Sequence, residues 1–225
     1  MRTVIIPAAG KATRFGGTMK ELLPLNATDT PLKRAIDNAV IGMDADEVVI
    51  VTSKDKIWEH MNYVSRNVAF HLPIQYVPQV YDRDLLGAIL TGISPYNDGG
   101  LVLPDTVTMV DAHGFTAPLS FGVFETFEPE RFSVICGGTI HTKKKLEPNE
   151  CINQAFTTTH RAWGVVMWSK EVAEYWIEHS DEYEHYDDMF RAAMKRYGYG
   201  TFDLPYYYDL GSFDTYVAYL KERDT

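Results

Sequence analysis

The sequence predicts an α/β fold, a Rossmann-like and mainly parallel sheet with helices on both faces and a small inserted sheet region. Three observations support this. Short, β-branched and almost continuously apolar runs recur at Thr3–Ile6, Glu47–Thr52, Ile74–Val77 and Leu101–Leu103, as expected of strands buried on both faces of a parallel sheet. Stretches with apolar residues at helical spacing lie between them, which gives the crossovers that parallel strands require. A chain of 225 residues can bury one sizeable core without staples. No repeat, low-complexity tract or Pro/Gly/Ser linker divides it, so residues 1–225 read as one domain.

Each element has its own justification. Pro31 opens a helix at the position where proline is tolerated, and Leu32, Ala35, Ile36, Ala39 and Val40 share one face. After the second strand, Ser53 is placed to cap a helix running through Ile57, Trp58, Met61 and Val64. Asp84–Ile93 follows as a helix, with Leu85, Ala88 and Ile89 on one side. The second half is less regular. Phe132–Cys136 reads as a strand, Ala162–Trp168 is another apolar run, and Ser169 caps a helix containing Val172, Ala173, Trp176 and Ile177. Tyr186–Tyr197 is a helix closed by Gly198. Phe202–Tyr208 is strand-like, and Asp209-Leu210-Gly211 turns into a last helix over Phe213–Leu220.

Composition narrows the function. An apolar share of 45% and a charged share of 23% are those of an ordinary globular protein. A formal net charge of −10 argues against broad nucleic-acid binding, which needs a basic surface. A nucleotide substrate needs only a local basic pocket. Cys136 and Cys151 have no metal-ligand spacing and read as free thiols of a reducing compartment, one disulfide being the alternative. The amino end has no charged-then-apolar leader, and no apolar run approaches the ~18 residues of a membrane span. The expectation is a cytoplasmic protein with no membrane or nucleic-acid partner, self-association being left open.

The most informative stretch is Val4–Leu25, where an apolar run breaks at Pro7 into a loop of small residues carrying Lys11, Arg14 and Lys20. Gly10 permits a tight turn and close backbone approach to a ligand, and consecutive N–H groups of such a loop can nest an anion. Arg14 can grip phosphate oxygens bidentately, and Lys20 can act as a point charge. Neither a Walker A loop nor the G-x-G-x-x-G dinucleotide fingerprint is present. A solvated loop with incidental cations is the competing explanation. Asp105 and Asp209 each follow an apolar run, which places them at strand ends on the usual ligand edge of an open α/β sheet. Two carboxylates with phosphate oxygens suit Mg²⁺. Each could instead cap the element that follows it.

Ala8-Ala9-Gly10, Thr13-Arg14 and Lys20-Glu21-Leu22-Leu23-Pro24 match, in order, the A-A-G-x-G-T-R and P-K-x-L-L-P signature of the enzymes that make nucleoside-diphosphate sugars. The chain therefore resembles the sugar-phosphate nucleotidyltransferases, the UDP-glucose and dTDP-glucose pyrophosphorylase-like family. It departs from the pattern at Ala12, where the family has glycine, and at Met19, where it has proline. Leu86-Gly87-Ala88-Ile89 is similar to the L-G-x-A-[VI] segment that shapes the nucleotide pocket, and Gln79 lies where relatives contact the base. Leu101–Asp105 is similar to the V-L-x-P-D of the uridylyltransferase branch, and Tyr208–Ser212 to the late D-x-G-[ST] turn.

The resemblance implies a nucleoside triphosphate gripped by Ala8, Ala9, Gly10, Lys11, Ala12 and Thr13, with Gln79, Leu86 and Gly87 around the base. It implies catalytic roles for Arg14, Lys20 and Asp105, and Mg²⁺ on Asp105 and Asp209. Gly138, Lys145 and Glu147 would touch a phosphorylated small-molecule acceptor, a sugar 1-phosphate first of all. The Pro-Asp end of the fourth strand leans towards UTP or dTTP. A phosphocholine or polyol phosphate acceptor is the runner-up, and a non-catalytic nucleotide sensor a third option. A glycosyltransferase would want a D-x-D motif, which Asp105-Thr106-Val107 is not. The seven histidines show no metal-ligand pairing and read as surface residues, and Tyr206-Tyr207-Tyr208 reads as strand packing.

Overall fold

The computed structural model describes residues 1–11, 15–113, 116–142 and 160–223. Strands β1 (Arg2–Ala8), β2 (Glu47–Thr52), β3 (Ile74–Pro78) and β4 (Asp98–Val102) form a parallel set in the order β4-β1-β2-β3. The sheet continues through β9 (His160–Trp168), which is antiparallel to both β4 and β6 (Leu119–Thr126), and ends at β10 (Gly200–Asp203), parallel to β6. A hairpin of β7 (Val134–Cys136) and β8 (Thr139–His141) leans on β9. A separate two-stranded sheet pairs β5 (Thr106–Thr108) with β11 (Tyr207–Asp209).

Side-chain alternation on the strands supplies two cores. Ile5, Val49, Val51 and Leu101 face α3 (Asp84–Gly92), α4 (Lys170–Glu178) and α5 (Tyr186–Tyr197), where Trp176 and Phe190 are wholly buried. Val4, Ile6, Val48 and Ile50 face Leu32, Ala35 and Ile36 of α1 (Pro31–Asp37) and Val64 of α2 (Ile57–Asn67). Helices thus cover both faces, the arrangement expected from the runs of apolar residues. Leu25 and Val107 pack with Leu210 and with Tyr216 of α6 (Phe213–Arg223) as a smaller third cluster.

Several boundaries differ from expectation. Helix α2 has Lys56, not Ser53, at its N-cap, because residues 54–56 first make a turn in which the Lys56 N–H donates to the Ser53 carbonyl at 3.0 Å. Strand β4 begins at Asp98 and includes Gly99 and Gly100, poor strand formers in isolation. Here their bareness admits neighbours: a Cβ on Gly99 would stand 2.2 Å from the Trp168 indole, and one on Gly100 2.3 Å from the Met43 methyl. Strand β6 has no counterpart in the sequence reading, although it is buried along most of its length and forms the longest strand pair of the sheet with β9. The run read as one strand over Phe202–Tyr208 is two, β10 and β11, each in a different sheet. Cys136 is disulfide-bonded and not a free thiol, which removes the cysteine argument for a reducing compartment. Cys151 lies outside the described residues. No helix among the described residues is long and apolar enough to cross a membrane.

Tyr207 links the main sheet to the small one. Its ring stacks on Phe124 of β6 with centroids 3.9 Å apart, and Gly164 of β9 makes the room, since a Cβ there would lie 2.3 Å from a ring carbon. Gly164→Ala should therefore cost about 1–3 kcal/mol through overpacking, read as a lowered midpoint in thermal or urea unfolding.

Candidate active site

One cleft of about 270 Å³ opens where β1 and β4 end. Its walls are Pro7, Ala8, Ala9 and Gly10 from the β1 exit, Lys20 and Glu21 from a short 3-10 turn (Lys20–Leu22), and Asp105 and Thr106 after β4. Arg131, Phe132 and Ser133 before β7, Trp163 of β9, Tyr186 at the start of α5, and Tyr207 and Asp209 of β11 close the far side. It lies on the carboxyl edge of the parallel strands, where open α/β sheets bind ligands.

Asp105 and Asp209 reach the cleft together because β5 and β11 pair. Asp209 is the cross-strand neighbour of Thr106, and the Leu210 N–H donates to the Asp105 carbonyl at 2.8 Å. Neither aspartate caps a helix. Asp209 Oδ1 accepts the Gly211 N–H at 2.8 Å, while Ser212 Oγ takes the Thr215 N–H in the first turn of α6. Each carboxylate holds a cation: Lys20 Nζ donates to Asp105 Oδ2 at 2.5 Å, and Arg131 Nη2 donates to Asp209 Oδ2 at 2.9 Å. All four side chains are partly exposed, so a ligand can reach them and water screens the pairs. Tyr207, between these groups, is pushed well above its ordinary value by burial and by the negative Asp105 and Asp209, so its phenol stays neutral.

Gly10 needs no left-handed conformation, and a Cβ on it would meet nothing within 4 Å among the described residues. The structure thus brings Ala8, Ala9, Gly10, Lys20, Gln79, Asp105 and Asp209 to one cleft. It gives Gln79 a local task as well, with Nε2 donating to the Tyr81 and Asp84 carbonyls at 2.7 and 3.1 Å. The pocket wall from α3 is made by Asp84, Leu85 and Ala88 and not by Leu86 and Gly87. Leu86 is buried in the core, and Gly87 lets the helix pass the preceding loop, a Cβ there falling 2.1 Å from the Tyr81 carbonyl oxygen. Gly138 is not at the cleft; it forms the β7–β8 turn with Gly137, both at positive φ. Lys11 is exposed and outside the lining. Ala12, Thr13, Arg14, Lys145 and Glu147 lie outside the described residues.

Several cleft residues had no signal strong enough to single them out. Arg131 stands just ahead of a strand-like run, a position that could have marked it as a strand-end cation. Trp163 and Ser133 were hidden inside or beside apolar stretches. The histidine expectation fails at His60, which is fully buried between Thr52 and Glu21. The tyrosine expectation holds: Tyr207 stacks on Phe124, and Tyr208 packs on Tyr219.

The family is decided by residues 4–132, which match the model of the MobA-like NTP transferase domain. The chain belongs to the MobA-like NTP transferase family. Nucleotidyl transfer is accordingly its general reaction class. A comparison with curated protein sequences gives no match. Among solved structures, a putative glucose-1-phosphate thymidylyltransferase from Bacillus anthracis, in complex with a sucrose, superposes with a TM-score of 0.79 at 18% identity, covering 100% of this chain and 96% of that one. The UTP-bound UGPase from Acinetobacter baumannii gives 0.73 at 14% identity, over 99% and 93% of the two chains. A UDP-glucose pyrophosphorylase from the same organism gives 0.71 at 14%, with the same coverage. At such identities the likeness is one of fold, and this transferase shares the α/β architecture of those enzymes over its whole length.

Behind the cleft residue Ser133 lies Asp187, fully buried, with Oδ2 taking the Ser133 hydroxyl at 3.2 Å and Oδ1 without a hydrogen-bond partner among the described residues. Burial raises its pKa above the ordinary 3.8, outweighing hydrogen bonds from Thr142 and Ser133 and the charge of Arg191. The folded state therefore binds more protons than the unfolded one above pH 3.8, and stability falls as pH rises through the folded pKa. Asp187→Asn should make the transferase at least as stable as wild type at neutral pH, the difference vanishing below the ordinary carboxyl range, as measured by urea unfolding across pH.

Proposed function

We propose that this transferase couples a nucleoside triphosphate to a sugar 1-phosphate and releases pyrophosphate. The observation that carries the reading is the meeting of two cation–carboxylate pairs, Lys20–Asp105 and Arg131–Asp209, opposite the small-residue loop in one cleft. Two cations and two carboxylates so placed suit a reaction in which anionic oxygens are held and neutralised. The acceptor phosphate oxygen is already an anion, so no general base is required. Catalysis then rests on positioning and charge stabilisation at the α-phosphorus.

In this reading the β1 exit loop holds the triphosphate through backbone N–H groups, with Arg14 set against the departing pyrophosphate. Lys20 stabilises charge at the α-phosphorus, and Arg131 grips the acceptor phosphate. Asp105 and Asp209 are hard oxygen donors of the kind Mg²⁺ takes alongside phosphates and water. When bound there, the ion would neutralise charge on the triphosphate oxygens. The acceptor body would lie against Phe132, Trp163, Tyr186 and Tyr207. The buried Trp163 Nε1–H has no hydrogen-bond partner among the described residues, and the Ser133 and Tyr186 hydroxyls lie 3.3 Å apart on the same wall. Those polar groups favour a hydroxylated ring.

A second reading, phosphocholine as acceptor, draws on the same four aromatic rings, because such faces attract a quaternary ammonium. A panel of acceptors with each triphosphate, read by pyrophosphate release, separates the two. Triphosphate binding without release on any acceptor would support a sensor and defeat both. We propose a cytoplasmic site of action, tested by fractionation of the producing cells.

Lys20→Ala and Arg14→Ala should each lower kcat by about 10²–10³-fold in a folded protein. Arg131→Ala should raise the acceptor KM by roughly tenfold or more, the scale of a lost charge-assisted hydrogen bond, and leave the triphosphate KM close to wild type. Steady-state kinetics with the acceptor and the triphosphate varied in turn provides the check.

A further inference from the structure

Running inward from Glu21 in the cleft wall is a buried polar network that no step above uses. Glu21, Lys56 and His60 are at most 6% exposed. Lys56 Nζ donates to the Gly10 carbonyl at 2.5 Å and lies 3.2 Å from Glu21 Oε1. The same carboxylate oxygen is 3.0 Å from His60 Nε2, and His60 Nδ1 is 2.9 Å from Thr52 Oγ1 at the end of β2. One carboxylate thereby joins the β1 exit loop, the turn that presents Lys20, the end of β2 and the first turns of α2.

We propose that Glu21, Lys56 and His60 are positioning residues, a clamp that sets the Gly10 peptide for triphosphate binding. The proposal rests on the nucleotidyl-transfer reading of the cleft. The geometry argues it from the peptide plane. In a trans peptide the carbonyl and the following N–H point in opposite directions. Holding the Gly10 carbonyl on the Lys56 ammonium therefore directs the N–H of that same peptide unit, which belongs to Lys11, away from the interior. Among the described residues nothing stands within 4 Å of a Cβ built on Gly10, so they leave an anion room to approach it. A small-residue loop has little apolar surface with which to fix its own conformation, so an outside anchor is needed. An ammonium is costly to bury unless paired, and Glu21 supplies the charge.

Stability alone is a poor reason for such a group of residues. A buried ion pair is often no better than a well-packed apolar pair, whereas removing one partner is strongly destabilising. What the charges add is direction: only a donor at Lys56 fixes the carbonyl, and only an acceptor at Glu21 holds that donor. Glu21 also adjoins Lys20 in the chain, so the clamp sets the cation and the backbone donor relative to each other. Burial raises the Glu21 carboxyl's pKa, but hydrogen bonds from His60 and its own backbone and the charge of Lys56 outweigh this, leaving it below the ordinary value and ionised at neutral pH.

The test compares wild type, Lys56→Met, and the double variant Glu21→Gln with Lys56→Met, by calorimetric binding of magnesium complexes of the common nucleoside triphosphates and by thermal unfolding. Lys56→Met should weaken triphosphate binding at least tenfold. The double variant, which leaves no unpaired buried charge at these two positions, should regain wild-type melting behaviour while binding triphosphate as weakly as Lys56→Met. In both variants the acceptor KM should stay within about twofold of wild type, with the loss falling on the triphosphate KM. Wild-type affinity in either folded variant would overturn the clamp. Failure of both variants to fold would also overturn it, by marking the network as support for the fold. A wild-type chain that binds no triphosphate would instead defeat the reading of the cleft and take the clamp down with it.

Discussion

The cleft exists because β11 comes back across the chain to pair with β5, and that pairing is set by packing more than by the three residue pairs of the ladder itself. Two-stranded sheets are marginal alone. Here one side is held by Tyr207, stacked on Phe124 over the bare backbone of Gly164. The other is held by Val107, Leu210 and Tyr216, packed with Leu25. The carboxylates of Asp105 and Asp209 therefore inherit their relation from two hydrophobic contacts, neither of which involves a charged group.

Around that relation the charges balance locally, although the chain as a whole carries a formal net charge of −10. Lys20 and Arg131 each rest on an aspartate. Those contacts keep both cations oriented and leave them partly exposed. The buried network under Gly10 works on the other principle. Its charges are sealed from water, and its hydrogen bonds are directional, so it fixes conformation where the exposed pairs allow exchange.

The sequence was most legible where physics is local. The β-branched runs of β1 and β2, Pro31 at the start of α1 and Gly198 at φ 72° after α5 are each decided within a few residues. The split of the run at 202–208 into β10 and β11 has a local sign in Pro205, which interrupts a strand, but the assignment of the two pieces to different partners, β6 and β5, is not carried by neighbouring residues. Likewise β6, interrupted by Gly122, looks like a weak strand until Phe202 is seen filling the space beside that glycine, its ring carbons 2.9 Å from where a Cβ would stand.

The candidate site divides in the same way. The sequence by itself determined the chemistry available at the opening loop, because the order of Gly10, Arg14, Lys20 and Asp105 is a property of the chain and matches a nucleotidyltransferase pattern. It also determined that charged groups would stand at strand ends, since an apolar run must stop where the core stops. Only the tertiary structure decided that Arg131 faces Asp209, that Glu21 turns inward to Lys56 and His60 while its neighbour Lys20 turns to Asp105, and that Trp163 rather than Gly138 borders the cleft. Each of those contacts joins residues tens of positions apart. Their geometry follows from how the sheet, helices and side chains fill space together, and a linear pattern does not carry that information.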